Sequence, residues 1–380
     1  MAFKVGVPVE FPDFIDRKVA LKKFLHFLQD GQNVMIHAPR RYGKTSLIAE
    51  GYRQYDGNTI YFDLKRYADL GAIGRELIGR VYEVVGIKGF WDNIKDGITN
   101  FLKSLRATVN IKLFEIIEIS IERIEKLEQY ENKDEIFLYA LEIAEKLATN
   151  SHKKINIAFD EFQDIKIALS RDKFILDKIR AVVQHHKSVM YIFCGSHQIL
   201  MNEIFLGKDS PFFHFCRIIE LGPLDISELF DFVKNKFIKI KVKLDDQELM
   251  NYLEQLDCHP YYSMKVMQVL YYMVIDDNIK YIEDKHYQLA ITQAIYETKS
   301  YLDDMVTQIK SRAHHFEMLS SIANEKKIDN LDIVTSYKIK QNLVYLGYLK
   351  HQGKADYTFA DTFLKYYLKQ NSFKYQPGLN

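Results

Sequence analysis

Cysteine is scarce in this chain: three in 380 residues, Cys194, Cys216 and Cys258, with no CxxC pair among them. An odd, scattered set argues against a disulfide framework and against a zinc site, and it fits a reducing cytosol. Charge of one sign is also lacking, since 52 basic and 51 acidic residues leave a net +1. No global field draws the protein onto nucleic acid or an anionic membrane, so any basic surface must be local. Long apolar runs are missing too, and Met1-Ala2-Phe3-Lys4-Val5-Gly6 lacks a signal-peptide layout. The expectation is a soluble cytoplasmic protein with no membrane span. No internal repeat or low-complexity linker interrupts the chain. Apolar residues are plentiful at 47% of the total, enough for a large core shared by two or three domains.

One further absence is local. In Ala38-Pro39-Arg40-Arg41-Tyr42-Gly43-Lys44-Thr45, alanine stands where a Walker A phosphate loop ordinarily has its first glycine. The surroundings otherwise suit such a loop. An apolar run, Val34-Met35-Ile36, precedes it, and the helix-like Ser46-Leu47-Ile48-Ala49 follows. A loop of this kind wraps backbone N–H groups around a polyphosphate, and the helix behind it points its positive end at the same charge. Lys44 is expected to neutralise the β- and γ-phosphates, and the Thr45 hydroxyl to hold Mg²⁺. The methyl of Ala38 is tolerable only if its φ stays negative.

A second motif completes the first. Lys154-Ile155-Asn156-Ile157-Ala158-Phe159 reads as a buried strand running into Asp160-Glu161-Phe162-Gln163. Two carboxylates at a strand end suit a Walker B site, with Asp160 in the Mg²⁺ shell and Glu161 orienting or deprotonating the attacking water. Alone, such a pair could be a solvated turn. After a Walker A loop it indicates an NTP site. GTP is disfavoured, because Asn132-Lys133-Asp134-Glu135 has Glu where the guanine element needs Asp.

Hydrophobic periodicity predicts the elements along the chain. A helix within Phe11 to Asp30 ends at Gly31, and strands follow at 34–36, 59–64, 154–159, 189–194 and 218–221. Helices at about 70–85, 134–149 and 173–185 alternate with them, which predicts a parallel sheet covered on both faces. Ala107 to Phe114 and Ile117 to Ile121 alternate polar with apolar, so a hairpin is expected there, with a long helix as the rival. Beyond Pro223, helices are expected at 226–240, 245–256 and 261–276, with a longer one near 284–308. The tail suggests helices at 316–323, 331–336 and 337–346, then strands 348–350 and 356–359 around Gly353. Three helices and a two-stranded wing would make a winged helix-turn-helix.

The combination Ala-Pro-Arg-Arg-Tyr-Gly-Lys-Thr-Ser-Leu, Phe-Asp-Glu-Phe-Gln and Gly-Ser-His resembles the archaeal and bacterial P-loop ATPases of the AAA+/STAND group. The resemblance covers most of the chain and is weakest from Gly86 to Glu131. It implies an α/β fold: a parallel-sheet, AAA+-like ATPase core over 1–224, with an insertion at about 87–133. A helical lid over 225–308 and a C-terminal winged-helix domain over 309–380 would follow. It implies ATP and ADP as ligands, with Mg²⁺. Ala38 through Ser46 would line the nucleotide, and Ser196 resembles the sensor that watches the γ-phosphate, with Gln163 helping to orient water. Arg40 and Arg41 either contact phosphate or lock the loop to the sheet, with Arg40 read as the structural one.

Ser210-Pro211 through Arg217 resembles the segment before the last core strand. Arg217 is there either an arginine finger for a neighbouring subunit's ATP or a structural partner of a core carboxylate. His259 and Pro260 resemble a Gly-His-Pro element that touches nucleotide, although Cys258 replaces the glycine, and the plain alternative is a helix-start histidine. Phe14-Ile15-Asp16-Arg17 resembles the opening segment near the adenine.

The implied partners are double-stranded DNA through 313–369, a second copy of the chain, or another protein. Tyr337-Lys338-Ile339-Lys340-Gln341-Asn342 offers cations and amides to phosphates and base edges. Yet residues 313–380 hold nine Lys, no Arg and six acidic residues, a thin excess for a dedicated DNA reader. Protein docking is the alternative. Phe101 to Arg106 reads as a packed amphipathic helix that could instead touch DNA, a membrane surface or a partner. Two functions remain open: an ATPase coupling hydrolysis to nucleic acid or assembly, and a slow nucleotide-gated switch.

Overall fold

A computed structural model describes residues 2–87, 111–129, 132–326, 331–353 and 356–370. The chain divides into two compact units: residues 17–222, and residues 1–16 together with those from 223 onward.

The first unit alternates strands and helices. In order they are α1 (Lys18–Gln29), β1 (Val34–His37), α2 (Lys44–Gln54), β2 (Asn58–Asp63), α3 (Leu70–Val84), α4 (Ile111–Gln129), α5 (Lys133–Asn150), β3 (Ile155–Asp160), α6 (Ile175–Val183), β4 (Val189–Cys194), α7 (Gln198–Leu206) and β5 (Arg217–Glu220). The five strands form one parallel sheet in the order β2-β3-β4-β1-β5. β3 and β4 are buried along their whole length, as central parallel strands must be when helices cover both faces. One face is packed with rings: Phe159, Phe162, Phe193, Phe205 and Phe212 touch in succession, the tightest pair, Phe162 and Phe193, at 4.6 Å. Two of these rings, Phe159 and Phe162, flank Asp160 and Glu161 in the chain and are buried.

The expected hairpin is absent from the part of 107–121 that is described. Residues 111–129 are a helix, with Leu113, Phe114, Ile117 and Ile121 buried on one side. That spacing has the 3.6-residue period, which overrides the short alternation read before it. The Phe101 to Arg106 segment and residues 107–110 lie outside the described residues. α5 matches its expectation closely: Asn132 caps it by accepting from Glu135 N, and Asp134 and Glu135 complement the positive end.

The second unit is mostly helical: α8 (Ile226–Lys239), β6 (Lys243–Leu244), α9 (Asp246–Gln255), α10 (Pro260–Asp276), β7 (Tyr281–Ile282), α11 (Asp284–Glu297), α12 (Lys299–Lys310), α13 (His315–Ala323), α14 (Ile333–Tyr345), β8 (Leu349–Gly353), β9 (Asp356–Phe359) and α15 (Thr362–Gln370). The single helix expected near 284–308 is two, meeting at Thr298, whose hydroxyl donates to the carbonyls of Ala294 and Ile295, 3.0 Å from each. The two short helices expected at 331–336 and 337–346 are one, α14, capped by Asp332 on Thr335 N at 2.9 Å. β8 and β9 form the expected antiparallel hairpin. α15 and the two-residue parallel pair β6–β7 were not expected.

Residues 225–308 and 309–370 share one core. Tyr262 of α10 stacks on Phe363 of α15 at 4.0 Å, and Thr362 Oγ1 donates to Asp257 at 2.6 Å. The start of the chain joins the same unit, with Phe3 buried against Phe232, Phe237 and Tyr271. Among the described residues no helix is long and apolar enough to cross a membrane.

Candidate functional site

The loop after β1 is shaped by two left-handed residues, Arg41 at φ 66° and Gly43 at φ 85°. Alternation of that kind turns successive backbone N–H groups toward one concave side, which suits an anion. Gly43 is needed for its φ, since a Cβ there would meet nothing within 4 Å. Ala38 is not among the positive-φ residues and is buried, so its methyl is accommodated as the sequence requires. Lys44 begins α2 and is 7% exposed. Its Nζ donates to the carbonyls of Ala38 (3.1 Å) and Pro39 (2.9 Å). Burial pushes the Lys44 pKa down, partly opposed by Cys194, Asp160 and Glu161, and nearby Arg40 pushes it further in the same direction. Arg40 is exposed and Arg41 half-buried; Tyr42 and Ser46 are buried.

Across from the loop, Asp160 closes β3. Its Oδ2 accepts from Thr45 Oγ1 at 2.7 Å and from the Tyr61 hydroxyl at 2.8 Å. Its Oδ1 accepts from Glu161 N at 2.9 Å and from the Cys194 thiol at 3.0 Å. The two residues read as metal ligands are therefore in direct contact. They offer hard oxygen donors beside the lysine, the set Mg²⁺ prefers, so the residues present fit that ion. Burial, then Asp160, push up the pKa values of Tyr61 and Cys194, and both stay protonated as donors to the carboxylate.

Glu161 sits at φ 58°, an uncommon conformation for a residue with a side chain. Its Oε2 accepts from Gln163 Nε2 (2.7 Å), Ser196 N (2.9 Å) and Ser196 Oγ (2.7 Å), and its Oε1 pairs with Lys65 at 3.0 Å. Burial opposes its ionisation, yet these bonds from Gln163, Ser196 and Lys65 hold its pKa down to about 2. Gly195 makes the cluster possible, because a Cβ there would meet Gln163 Oε1 at 2.0 Å. Lys44, Thr45, Asp160, Glu161, Gln163 and Ser196 are thus brought to one end of the sheet.

Tyr61, Lys65 and Cys194 were not singled out by sequence. A signal existed: β2 pairs with β3 so that Tyr61 lies beside Ala158 and Asp63 beside Asp160, which puts the end of β2 at the carboxylates.

Arg217 lies elsewhere. It opens β5 opposite Val34, the first residue of β1, whereas the phosphate loop follows the last. Its Nε donates to Gln32 Oε1 at 3.4 Å, so it belongs to the opposite end of the strands from its own chain's loop. His259 and Pro260 are in the second unit. His259 is 4% exposed, and its Nδ1 accepts from the backbone N of Tyr261 (3.1 Å) and Tyr262 (3.4 Å), capping α10, whose first residue is Pro260. In α14, Gln341 donates to the Tyr357 hydroxyl at 3.0 Å and Asn342 Oδ1 lies 2.9 Å from His315 Nε2, while Ile333, Val334 and Tyr337 are exposed.

A parallel sheet with this loop and these carboxylates at its strand ends defines a P-loop nucleotide-binding fold of AAA+-like type. The family model for an ATPase domain predominantly from Archaea matches residues 14–266, and the chain belongs to that family. It is an ATPase. Among solved structures, the Walker-type ATPase PABY2304 of Pyrococcus abyssi superposes with a TM-score of 0.65 at 18% identity, covering 97% of this chain and 100% of that one. The ORC2 protein of Aeropyrum pernix, in its ADPNP-ADP complexes, gives 0.52 at 10% identity, covering 98% and 100%. At these identities the likeness concerns the fold. No curated protein matches the chain.

Proposed function

We propose that the chain is a Mg²⁺-dependent ATPase of the AAA+/STAND type, acting in the cytoplasm, that couples its nucleotide state to duplex DNA or a protein partner through a C-terminal winged helix. One observation carries the reading: Thr45 and Asp160 in contact, with Lys44 and a hydrogen-bonded Glu161 at the same strand ends. When bound, Mg²⁺ would supply charge neutralisation at the β- and γ-phosphate oxygens. Thr45 and Asp160 would hold it. Lys44 leaves the Ala38 and Pro39 carbonyls for phosphate oxygens, and the exposed Arg40 adds positive potential at the mouth of the loop. Glu161 takes the proton of the attacking water, with Ser196 and Gln163 fixing its carboxylate.

Arg217, at the opposite end of the strands from the loop, suits a role toward a neighbouring copy's phosphates rather than its own. His259 and Pro260 are assigned to starting α10, with contact to nucleotide as a secondary role. The winged-helix reading is supported by α12, α13 and α14 followed by the β8–β9 hairpin, α12 standing in for the helix lost when 331–336 and 337–346 proved to be one.

A second reading is favoured by the state of Glu161. A carboxylate with a pKa near 2 is a weak base, and its bonds to Gln163, Ser196 and Lys65 must loosen before it acts. That suits a slow, nucleotide-gated switch; the thin lysine excess of 313–380 suits a tail that docks protein. Steady-state ATP hydrolysis with and without duplex DNA at low salt separates the two. Stimulation that fades as salt rises supports the coupled ATPase, and slow turnover indifferent to DNA selects the switch.

A further inference from the structure

Among the described residues, four hydrogen bonds converge on the Asp160 carboxylate, and they are not equivalent. Asp160 is 7% exposed, so its oxygens meet protein donors rather than bulk water. An ionised carboxylate offers about four acceptor sites. Oδ1 takes Glu161 N at 2.9 Å and the Cys194 thiol at 3.0 Å. Oδ2 takes Thr45 Oγ1 at 2.7 Å and the Tyr61 hydroxyl at 2.8 Å.

Three of these donors do little to set the carboxylate for an ion. Glu161 N belongs to the next residue, so its place is set by the same backbone that carries Asp160. A thiol is a weak donor. The Thr45 hydroxyl is itself read as a metal ligand, so it is no independent reference. Tyr61 remains. It is a strong donor from another strand, outside the groups read as touching nucleotide or metal.

The sheet delivers that hydroxyl to its partner. Tyr61 pairs with Ala158 in the parallel ladder, and Asp160 lies two residues further along β3. Residues two apart on a strand share a face, and so do in-register neighbours on adjacent strands. Tyr61, Ala158 and Asp160 therefore stand on one side of the sheet. Ala158 has only a methyl, which leaves the ring of Tyr61 room to lean toward Asp160. The backbone of Tyr61 is tied down from α3. Arg80 Nη1 donates to its carbonyl at 2.6 Å, and the same guanidinium lies 4.7 Å from the ring centre of Phe62 while pairing with Glu76.

We propose that Tyr61 is a positioning residue for the divalent ion: its hydroxyl fixes the rotation of the Asp160 carboxylate, so that Asp160 and Thr45 present their oxygens together. The inference deepens the proposed function and rests on the reading of Thr45 and Asp160 as Mg²⁺ residues. Groups that hydrogen-bond to a metal-binding side chain orient it, and losing one costs roughly 10–100-fold in metal affinity.

The test uses the full chain, with Mn²⁺ as a spectroscopic substitute for Mg²⁺. Mn²⁺ is titrated, by electron paramagnetic resonance, into protein held in excess over a non-hydrolysable ATP analogue, for wild type, Y61F and D160N. Affinity for the analogue in EDTA is measured beside it by calorimetry. Y61F keeps the ring and removes one oxygen. It should weaken Mn²⁺ binding about 10-fold, less than D160N does, and leave the metal-free affinity for the analogue unchanged. In steady state, the Mg²⁺ concentration for half-maximal ATP hydrolysis should rise by a larger factor than the maximal rate falls. Wild-type Mn²⁺ affinity in Y61F, with D160N weakened, overturns the role of Tyr61 and leaves the metal reading standing. Tighter Mn²⁺ binding in Y61F overturns it as well, by showing that the hydroxyl competes with the ion for Oδ2. A fall in metal-free analogue affinity as large as the fall in Mn²⁺ affinity also overturns it, and assigns Tyr61 to packing. Wild-type Mn²⁺ affinity in D160N overturns the metal reading, and the inference with it.

Discussion

The two units of this molecule spend their polar residues differently. In 17–222, strand ends gather a lysine, a threonine, two carboxylates, a serine and a glutamine at one end of the sheet, and all but the lysine, which donates to the Ala38 and Pro39 carbonyls, bond to one another. In the C-terminal unit, comparable residues close the architecture. His259 caps α10, the Thr298 hydroxyl bonds back to Ala294 and Ile295 where α11 meets α12, and Thr362 holds Asp257. Parallel strands project their ends into one crevice, so chemistry accumulates there. A helical array offers no such shared edge, and its polar groups go first to helix termini. Chemistry belongs to the first unit, and the second can act through its surface.

The sharpest break of that contrast is Lys44→Ala. It should abolish ATP binding by titration calorimetry while leaving the fold intact, since it removes the one cation buried at the loop; tight binding retained would overturn the loop assignment. Next in size is Tyr262→Ala in the helical unit. Losing a fully buried ring stacked on Phe363 should cost about 3 kcal/mol in denaturant unfolding, and ATP affinity should change little. A large loss of ATP affinity in a folded variant would show that the units are not separable in function.

The smallest expected effect is Lys65→Ala. Lys65 is half-exposed, so the stability change near neutrality should stay below ~1 kcal/mol. Its signature lies in pH. The pKa of Glu161 is lowered in the fold from the usual 4.5 to about 2. Its contribution is therefore complete above about pH 4.5 and disappears as pH falls toward 2. Removing Lys65 should raise that pKa and move the acid limb of the stability curve upward. An unmoved limb would mean that Gln163 and Ser196 hold Glu161 alone.

Much of the first unit was legible in the chain. β4 appears at the residues expected, and the Walker loop and carboxylates meet as their motifs require, because a buried parallel strand is an unbroken apolar run ending in a functional turn. The insertion misled: the alternation before Phe114 masked the helical spacing of Leu113, Phe114, Ile117 and Ile121. Tyr61 and Lys65 were hidden because their partners lie about 100 residues away. Only strand order puts them together. The break at Thr298 interrupts no apolar spacing, since Ile291, Ile295, Leu302, Val306 and Ile309 keep one face buried across it, so periodicity does not register it.

In the proposed mechanism Glu161 is the base of the ATP-hydrolysing site. That role is tested most directly by measuring ATP affinity and steady-state hydrolysis in Glu161→Gln beside wild type. The account predicts wild-type affinity with hydrolysis at least ~10²-fold slower. Hydrolysis at the wild-type rate would contradict it and pass the role to another group at the strand ends.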